Sequence, residues 1–251
     1  MHQAKEIKFG TDGWRAIIAE TYTFQNLKVV SQAVADFLGP GKSAVVGYDT
    51  RFMSAEFARI SAEVLAANRI KVILSDRPIP TPCLSFAVKH KKSDLGVMIT
   101  ASHNPASYNG FKIKNAKGGA AALELTKKVE SLLGKSTPKT LGPKESEIKK
   151  EDLTKIYIRF IRSYIDFKKI KNKKFRLLVD VMHGSGNSFF AQILKGSSVK
   201  IEFMRSEINP SFGGTRPEPV EENLRILKER VKREKFDLGI ALDGDADRIA
   251  A

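Results

Sequence analysis

The sequence predicts an α/β protein made of two consecutive, doubly wound domains with mixed sheets. In the first half of the chain, apolar strand-like runs alternate with amphipathic helical segments, which is typical of crossover connections to a parallel or mixed sheet. A connection rich in proline, glycine, serine and lysine follows at residues 134–147, and a second strand–helix alternation begins after it. We therefore predict one domain over residues 1–140 and another over residues 141–251.

The first domain is predicted from hydrophobic periodicity. Apolar residues recur at helical spacing over residues 24–38, and Gly39-Pro40-Gly41 stops that helix. The same patterns predict the other elements of this half: strand 44–48, helix 54–67, strand 70–74, a short helix near 82–90, strand 95–99 and helix 121–133.

The second domain is predicted to be a βαβαβ unit. Its elements follow in this order: helix 151–166, strand 177–181, strand 199–204, helix 219–234 and strand 236–242. The turn at residues 182–186 resembles a phosphate-cradling glycine turn, but Phe189 stands where a dinucleotide-binding fingerprint has its last glycine. We interpret this segment as a tight strand–helix turn.

The composition is that of a globular protein, with 42% hydrophobic and 28% charged residues among 251. No apolar run approaches the roughly 20 residues that cross a bilayer, and the first residues lack the apolar core of a signal peptide. Cys83 is the only cysteine, which excludes an intrachain disulfide and a cysteine-rich zinc site. These observations predict a cytoplasmic protein without a membrane partner.

The chain is basic, with 43 lysines and arginines against 28 acidic residues and a formal charge of +15. A nucleic acid, an anionic small molecule and a missing acidic remainder of the chain all fit this excess. The densest basic run, residues 168–176, precedes a strand and lacks the aromatic–glycine pattern of an RNA-binding sheet. We interpret it as a solvated connector and expect no nucleic-acid partner; a basic nucleic-acid-binding module is the non-enzymatic alternative.

The segment Thr100–Pro105 must turn, because it follows an apolar strand, consists of small and polar residues and ends in proline. Ser102 is therefore expected to lie exposed at a strand end on a stiff loop, where α/β proteins often place working residues. On this segment alone, a serine that merely caps a turn is the simpler interpretation.

Asp243, Asp245 and Asp247 recur at every second position after the last predicted strand. In an extended chain alternate side chains point the same way, so the three carboxylates are expected to converge. Clustered anions need a cation, and oxygen-only ligation favours Mg²⁺, with Arg248 as a positive neighbour. An EF-hand would instead follow a helix and have glycine where Arg248 stands. A haloacid-dehalogenase-type phosphatase, with Asp243 as nucleophile, has Thr or Val where Asp247 stands.

Two other basic residues are candidates for binding a phosphate or carrying protons near Ser102. Arg15 ends a glycine-punctuated loop at residues 9–15, and its charge suits a phosphate, although a plain turn with an exposed arginine fits equally well. Asn109-Gly110 marks a hairpin-type turn, and the strand that it opens carries Lys112 and Lys114 on one face. Lys112 beside a phosphorylated serine would carry protons or steady an anion. An edge-strand lysine that opposes aggregation is the alternative.

Four motifs occur in the order found in the α-D-phosphohexomutase superfamily: FGTDGWR at 9–15, TASHNP at 100–105, YNGFK at 108–112 and DGDADR at 243–248. The chain resembles the phosphoglucomutase/phosphomannomutase branch of that family over nearly its whole length. The family has four domains around one cleft, so the resemblance implies that this chain is domain I with the phosphoserine loop and nearly all of domain II with the magnesium loop. Domains III and IV, which select the sugar and grip its non-reacting phosphate, would be missing partners from the same protein.

The resemblance also implies a role for each matching residue. Ser102 would be the serine that is phosphorylated, and its phosphate would bind Mg²⁺ together with Asp243, Asp245 and Asp247.

The remaining matches concern acid/base work and electrostatics. Lys112 and Arg15 match the family's candidates for general acid/base catalysis and for stabilising the phosphoserine. His103 and Arg248 match residues near the site.

The implied reaction interconverts hexose 1-phosphate and hexose 6-phosphate, with glucose or mannose as the sugar, through a hexose 1,6-bisphosphate that is both intermediate and activator. The enzyme would be an isomerase acting as an intramolecular phosphotransferase. A phosphoglucosamine mutase of the same superfamily and an aspartyl-nucleophile phosphatase are the alternatives. Without the sugar-binding domains, this polypeptide alone is expected to have little or no mutase turnover.

Overall fold

The computed structural model describes residues 7–10, 13–140, 148–187 and 189–251. The chain divides into two compact units. The first unit comprises the described residues of Met1–Asp49, Met53–Ala101 and Ser107–Leu153, and the second comprises Thr50–Phe52, Ser102–Ala106 and Thr154–Ala251. The two short segments that include Arg51 and Ser102 therefore belong, by their contacts, to the second unit.

The first unit alternates strands and helices as predicted. Its elements are β1 (Trp14–Ile17), α1 (Phe24–Leu38), β2 (Ser43–Tyr48), α2 (Ser54–Ala67), β3 (Lys71–Ser75), α3 (Thr81–His90), β4 (Leu95–Ile99), β5 (Tyr108–Asn115), α4 (Leu123–Glu130) and β6 (Ile148–Glu151). Helix α1 begins where the Thr23 side chain accepts a hydrogen bond from the Asn26 amide, and it ends at Gly39 with φ of 79°.

The sheet of the first unit has the strand order β1-β5-β4-β2-β3-β6. Strand β2 runs parallel to β3 and β4, and β6 runs parallel to β3, whereas β5 is antiparallel to β4 and to β1. The predicted mixed sheet is therefore confirmed. Strand β5 lies between two partners, so the prediction of Lys112 as an edge-strand residue is wrong; this side chain is 1% exposed.

Strand β1 was not predicted, because the sequence there was interpreted as part of a glycine-punctuated loop. Trp14 is buried, and its ring stacks on Tyr22 with a centroid distance of 4.7 Å. Tyr22 in turn meets the Phe57 ring edge-on at 4.9 Å. This aromatic cluster fixes Arg15 on a strand rather than in a turn. Thr11 and Asp12 of the same motif lie outside the described residues.

The first sheet continues beyond the predicted domain boundary at residues 140/141. Ile148–Glu151 forms β6 on β3, and the first unit extends to Leu153. This strand has a single apolar residue, so no hydrophobic pattern indicated it. Residues 141–147 of the predicted connection lie outside the described residues, and the helix that was predicted from residue 151 begins at Thr154.

The second unit contains α5 (Thr154–Tyr164), α6 (Phe167–Lys171), β7 (Arg176–Asp180), α7 (Phe189–Ile193), β8 (Lys200–Met204), α8 (Glu221–Glu234), β9 (Leu238–Leu242) and β10 (Ile249–Ala250). Its sheet has the order β10-β9-β7-β8, with β7 parallel to β8 and β9 and with β10 antiparallel to β9. The predicted βαβαβ arrangement is confirmed. The parallel strands β7 and β9 end at the same edge of the sheet, so the loops after Asp180 and Leu242 lie together there.

The predicted basic connector at residues 168–176 is partly helical, because α6 spans its first residues. Asp166 caps this short helix through the Lys169 amide and also forms an ion pair with the Lys169 side chain. Among the helices of the described residues, none is long and apolar enough to cross a membrane.

Gly110 allows the close approach of three chain segments in the first unit. A Cβ atom on this residue would lie 2.4 Å from the Thr100 carbonyl oxygen and 2.9 Å from the Trp14 carbonyl oxygen. Both obstacles are backbone atoms of neighbouring strands, so they cannot rotate away. The Gly110 carbonyl also accepts a hydrogen bond of 2.9 Å from the buried Tyr22 hydroxyl.

We therefore expect Gly110→Ala to lower the free energy of unfolding of the first unit by about 2 kcal/mol. Gly10→Ala is the matched control, because among the described residues a Cβ there meets only the Gly13 carbonyl, at an ordinary 3.6 Å. The fluorescence of Trp14, the only tryptophan, during urea unfolding reports on this unit. Equal unfolding midpoints for the two variants would contradict the packing argument.

Candidate active site

The aspartate loop follows β9 in the second unit. Asp243, Asp245 and Asp247 each place a carboxylate oxygen so that these atoms all lie within 4.8 Å of one another. The convergence was predicted, but its cause differs, since the chain turns at Ala246, with φ of 52°, instead of remaining extended. The loop closes around Asp243, whose Oδ1 accepts hydrogen bonds from the amides of Asp247 at 3.0 Å and Arg248 at 3.1 Å.

Ser102 meets this loop within the second unit. Its hydroxyl donates a hydrogen bond of 2.8 Å to Oδ2 of Asp243. The backbone of Ser102 is left-handed, with φ of 54°, and the residue is only 2% exposed. The expectation of an exposed serine is therefore wrong: the loop turns inward and packs on the aspartate loop.

Two predicted neighbours lie in the same unit. The Arg248 guanidinium places Nε 3.4 Å from Oδ2 of Asp243 and Nη1 3.1 Å from Oε1 of Glu218. His103, next in the chain to Ser102, has a buried Nδ1 atom for which the described residues offer no hydrogen-bond partner. The Pro217–Glu218 segment also holds the aspartate loop itself, because the Pro217 carbonyl accepts the Gly244 amide at 3.1 Å.

The electrostatics of the cluster favour a cation. Burial raises the pKa of Asp243 to about 8, and the neighbouring carboxylates of Asp245 and Asp247 add to the shift, while the Ser102 hydrogen bond opposes it. Asp243 and Asp245 are buried, and Asp247 is exposed. A hard divalent cation would displace the proton of Asp243 and neutralise the cluster, and oxygen-only ligands fit Mg²⁺. An EF-hand is excluded, because strand β9 and not a helix precedes the loop.

The turn after β7 supports the aspartate loop. The Ser185 amide donates to the Gly244 carbonyl at 3.0 Å, and the Ser185 hydroxyl approaches the same oxygen at 3.3 Å. The turn at residues 182–186, which resembles a phosphate-cradling turn in sequence, therefore has a packing role within this unit.

A buried ion pair that was not predicted from the sequence lies at the same sheet edge. Asp180, which is fully buried, accepts a 2.9 Å hydrogen bond from Nε of Arg205, and the Arg205 fork also reaches Oδ2 of Asp180. Oδ1 of Asp180 also accepts the Met182 amide at 3.1 Å. The pair fixes the start of the supporting turn. The signal in the sequence that could have indicated this pair is an aspartate at the end of an apolar strand.

Lys112 and Arg15 lie in the first unit. Lys112 is a buried residue of β5, and Arg15 lies on β1 opposite Gly110. In the same unit, Asp49 accepts hydrogen bonds from the hydroxyls of Thr100 at 2.6 Å and Ser54 at 2.9 Å. The catalytic roles of Lys112 and Arg15 stay predictions.

Comparisons with known proteins agree with this geometry. Residues 6–140 match the model of the family described as phosphoglucomutase/phosphomannomutase, alpha/beta/alpha domain I, and residues 155–251 match the model of its domain II. The structure of a Thermus thermophilus protein assigned as a phosphomannomutase superposes with a TM-score of 0.91 at 37% identity, covering 97% of this chain and 56% of that one.

Two curated relatives are similar over nearly the whole chain. A phosphoglucosamine/phosphogalactosamine mutase of Sulfurisphaera tokodaii is 34% identical over 96% of this chain and 53% of its own length. A phosphoglucomutase/phosphomannomutase of Thermococcus kodakarensis is 34% identical over 96% of this chain and 54% of its own length. The chain thus spans about half the length of the curated relatives it matches. Because both family models match, with the serine and aspartate loops in place, the chain belongs to the α-D-phosphohexomutase superfamily.

Proposed function

We propose that the chain forms domains I and II of a phosphohexomutase in which Ser102 carries the transferred phosphate. The observation that carries the proposal is the 2.8 Å hydrogen bond between Oγ of Ser102 and Oδ2 of Asp243 within a cluster of three carboxylates. A phosphorylated Oγ at this position would lie at the edge of that cluster. Domains III and IV would complete the protein and supply the contacts to the sugar.

Mg²⁺ fits the site as its cofactor. Asp243, Asp245 and Asp247 would hold it together with a phosphate oxygen on Ser102, and when bound it offsets the charge that shifts as the phosphoryl group moves. The three mutually repelling carboxylates, two of them buried, are the observation that favours such an ion.

The proposed reaction has two phosphoryl transfers. A hydroxyl oxygen of hexose 1-phosphate attacks the phosphorus on Ser102, the P–Oγ bond breaks, and a hexose 1,6-bisphosphate forms. The hydroxyl proton would pass to Lys112, acting as base, and Lys112 would return a proton to Oγ as the P–Oγ bond breaks, which restores the donation from Ser102 to Asp243. After the sugar turns over, Oγ would attack the phosphorus of the other phosphate and give its proton to Lys112. The bond from that phosphorus to the sugar oxygen breaks, the sugar oxygen takes up the proton from Lys112, and hexose 6-phosphate leaves with Ser102 phosphorylated again.

Two arginines and a histidine would stabilise the phosphates in these steps. We assign the charge of Arg15 and the imidazole of His103 to the phosphate on Ser102, and Arg248, which is anchored by Glu218, to the side of Asp243. Both transfers pass through similar phosphoesters, so Ser102 must accept and donate phosphate at similar energy.

An aspartyl-nucleophile phosphatase is less well supported. Both oxygens of Asp243 already accept hydrogen bonds, from its own loop and from Ser102. Asp247 also stands where that phosphatase family has Thr or Val. The proposal therefore assigns the phosphoryl group to Ser102.

The proposed sugar is a hexose, with glucose or mannose as in the implied branch. Glucosamine is the second candidate, because a curated relative at 34% identity acts on phosphorylated amino sugars according to its name. The hexose 1,6-bisphosphate would also act as activator by loading Ser102. We place the protein in the cytoplasm, because its only cysteine, Cys83, is buried and unpaired with another cysteine.

Mg²⁺ is expected to stabilise the second unit through the aspartates. At about 100 times its Kd, it should add about 2.7 kcal/mol to the free energy of unfolding. Asp245→Asn should remove most of this gain, whereas Glu229→Gln, which deletes an exposed carboxylate of α8, should keep it. Calorimetric unfolding with and without Mg²⁺ measures the difference, and an unchanged gain in Asp245→Asn would count against the metal site.

Ser102 is expected to take up one phosphate from glucose 1,6-bisphosphate. Even slow transfer accumulates to a stoichiometric product over a long incubation, so substrate-binding domains are not required for this readout. Intact-mass measurement and peptide mapping should find one phosphate on Ser102 and none in Ser102→Ala. Phosphate on another residue, on Asp243 in particular, would refute the proposed mechanism.

The chain by itself is expected to have little mutase turnover, because the domains that position the sugar are missing. With glucose 1-phosphate and its bisphosphate, steady-state turnover should stay below about 1 per second. Ser102→Ala gives the background rate. A turnover of about 10 to 1000 per second, normal for an enzyme, would show that these two domains suffice.

A further inference from the structure

Arg51 lies in the second unit although it follows strand β2 in sequence. The residue is 3% exposed, and no feature of the sequence analysis singled it out. A buried guanidinium is costly unless its donors are satisfied, so its partners indicate what it stabilises.

The partners of Arg51 include three carbonyl groups of the serine loop. Nη2 donates to the carbonyl oxygens of Ser102 at 2.6 Å and Asn104 at 2.7 Å, and Nη1 donates to that of Pro105 at 2.8 Å. One planar group thus binds three carbonyls within four consecutive residues. This arrangement stabilises a turn whose first residue, Ser102, has a left-handed backbone.

A buried aromatic ring covers the other side of the guanidinium. The centre of the Phe212 ring lies 4.9 Å from Cζ of Arg51, which is within the range of a cation–π contact. Phe212 itself is 1% exposed and has φ of 52°. The segment is held further by Thr50, whose hydroxyl donates to the His183 carbonyl at 2.8 Å.

The Ser102 carbonyl is also packed against the aspartate loop. A Cβ atom at Gly244 would lie 2.6 Å from this oxygen, so only glycine admits the approach. The oxygen therefore lies between the Arg51 fork and the backbone of Gly244. This contact fixes the distance from Ser102 Oγ to Asp243, which precedes Gly244 in the chain.

We infer that Arg51 is the positioning residue for Ser102: its guanidinium, stacked on Phe212, holds the serine loop so that Oγ meets the carboxylate cluster. Lysine cannot replace it, because an ammonium is a point charge that cannot span three carbonyls in one plane. The part of this inference that concerns phosphate transfer rests on the proposed function, whereas the part that concerns the loop does not.

Arg162 provides a matched control in the same unit. Its Nη1 donates to the carbonyls of Ile193 at 2.6 Å and Lys195 at 2.9 Å, and its guanidinium stacks on Phe167 at 4.3 Å. Arg162→Lys thus removes the same kind of contacts at the end of α7 instead of at the serine loop.

The loop is tested by backbone ¹⁵N relaxation in the 251-residue chain. In the wild type and in Arg162→Lys, residues 102–104 should have order parameters near 0.85, and in Arg51→Lys they should fall below about 0.6. Mn²⁺ affinity, which reports the aspartate cluster, should change less than about twofold in Arg51→Lys, since its carboxylates remain. Rigid loop residues in Arg51→Lys would overturn the inference.

The consequence for phosphate transfer is tested by the rate at which Ser102 takes up phosphate from glucose 1,6-bisphosphate. Arg51→Lys should slow it by about 100-fold or more, as for a misplaced reacting group, and Arg162→Lys should leave it within about twofold of the wild type. If Arg51→Lys takes up phosphate as fast as the wild type, the inference is overturned and the proposed function stands. If the wild type takes up no phosphate, the proposed function fails, and the relaxation data still decide whether Arg51 holds the loop.

Phe212→Leu is the second variant, in case Arg51→Lys does not fold. It keeps the three hydrogen bonds and removes only the ring beneath the guanidinium. In this variant, the order parameters of residues 102–104 should lie between the wild-type values and those of a mobile loop. The uptake of phosphate by Ser102 should be about 10-fold slower than in the wild type. If a folded Phe212→Leu gives wild-type values in both measurements, the role of the Phe212 ring in holding Arg51 and the serine loop is contradicted.

Discussion

The hydrogen bond from Ser102 to Asp243 is the contact on which the candidate site depends. It joins a serine with a left-handed backbone to a buried carboxylate of a cluster of three. Burial and the neighbouring carboxylates raise the pKa of Asp243, because the cluster concentrates negative charge that a metal or a proton must relieve. A phosphate on Ser102 and a divalent cation would balance each other at the same place.

Other contacts within the second unit hold Ser102 and Asp243 in place. Parallel strands β7 and β9 bring the turn after Asp180 and the aspartate loop to one edge of the sheet. The Ser185 amide and the Pro217 carbonyl bind the two polar groups of the Gly244 backbone, and the Asp180–Arg205 pair fixes the supporting turn. Arg51 fastens the serine loop from the other side.

Local patterns in the sequence were sufficient for the elements with strong hydrophobic periodicity and for the convergence of the three aspartates. Helices α1 and α2 and strand β4 were predicted at the bounds observed, because each has a clear apolar face or run. Strand β1 was missed because its strand character depends on pairing with β5, which is distant in sequence, and on the stacking of Trp14 on Tyr22, which in turn meets Phe57. Strand β6 was missed because backbone pairing with β3, not an apolar face, stabilises it. The burial of Ser102 and the role of Arg51 depend on contacts between distant segments, which no local pattern encodes.

The central claim is that phosphorylated Ser102 and the three aspartates form one metal site. The most direct test is ³¹P NMR of the chain carrying phosphate on Ser102, titrated with Mn²⁺ as a paramagnetic substitute for Mg²⁺. The account predicts that the phosphoserine resonance broadens beyond detection at stoichiometric Mn²⁺, and that Asp245→Asn restores a sharp line at the same concentration. A sharp phosphoserine resonance in the wild type with Mn²⁺ bound to the aspartates would contradict it.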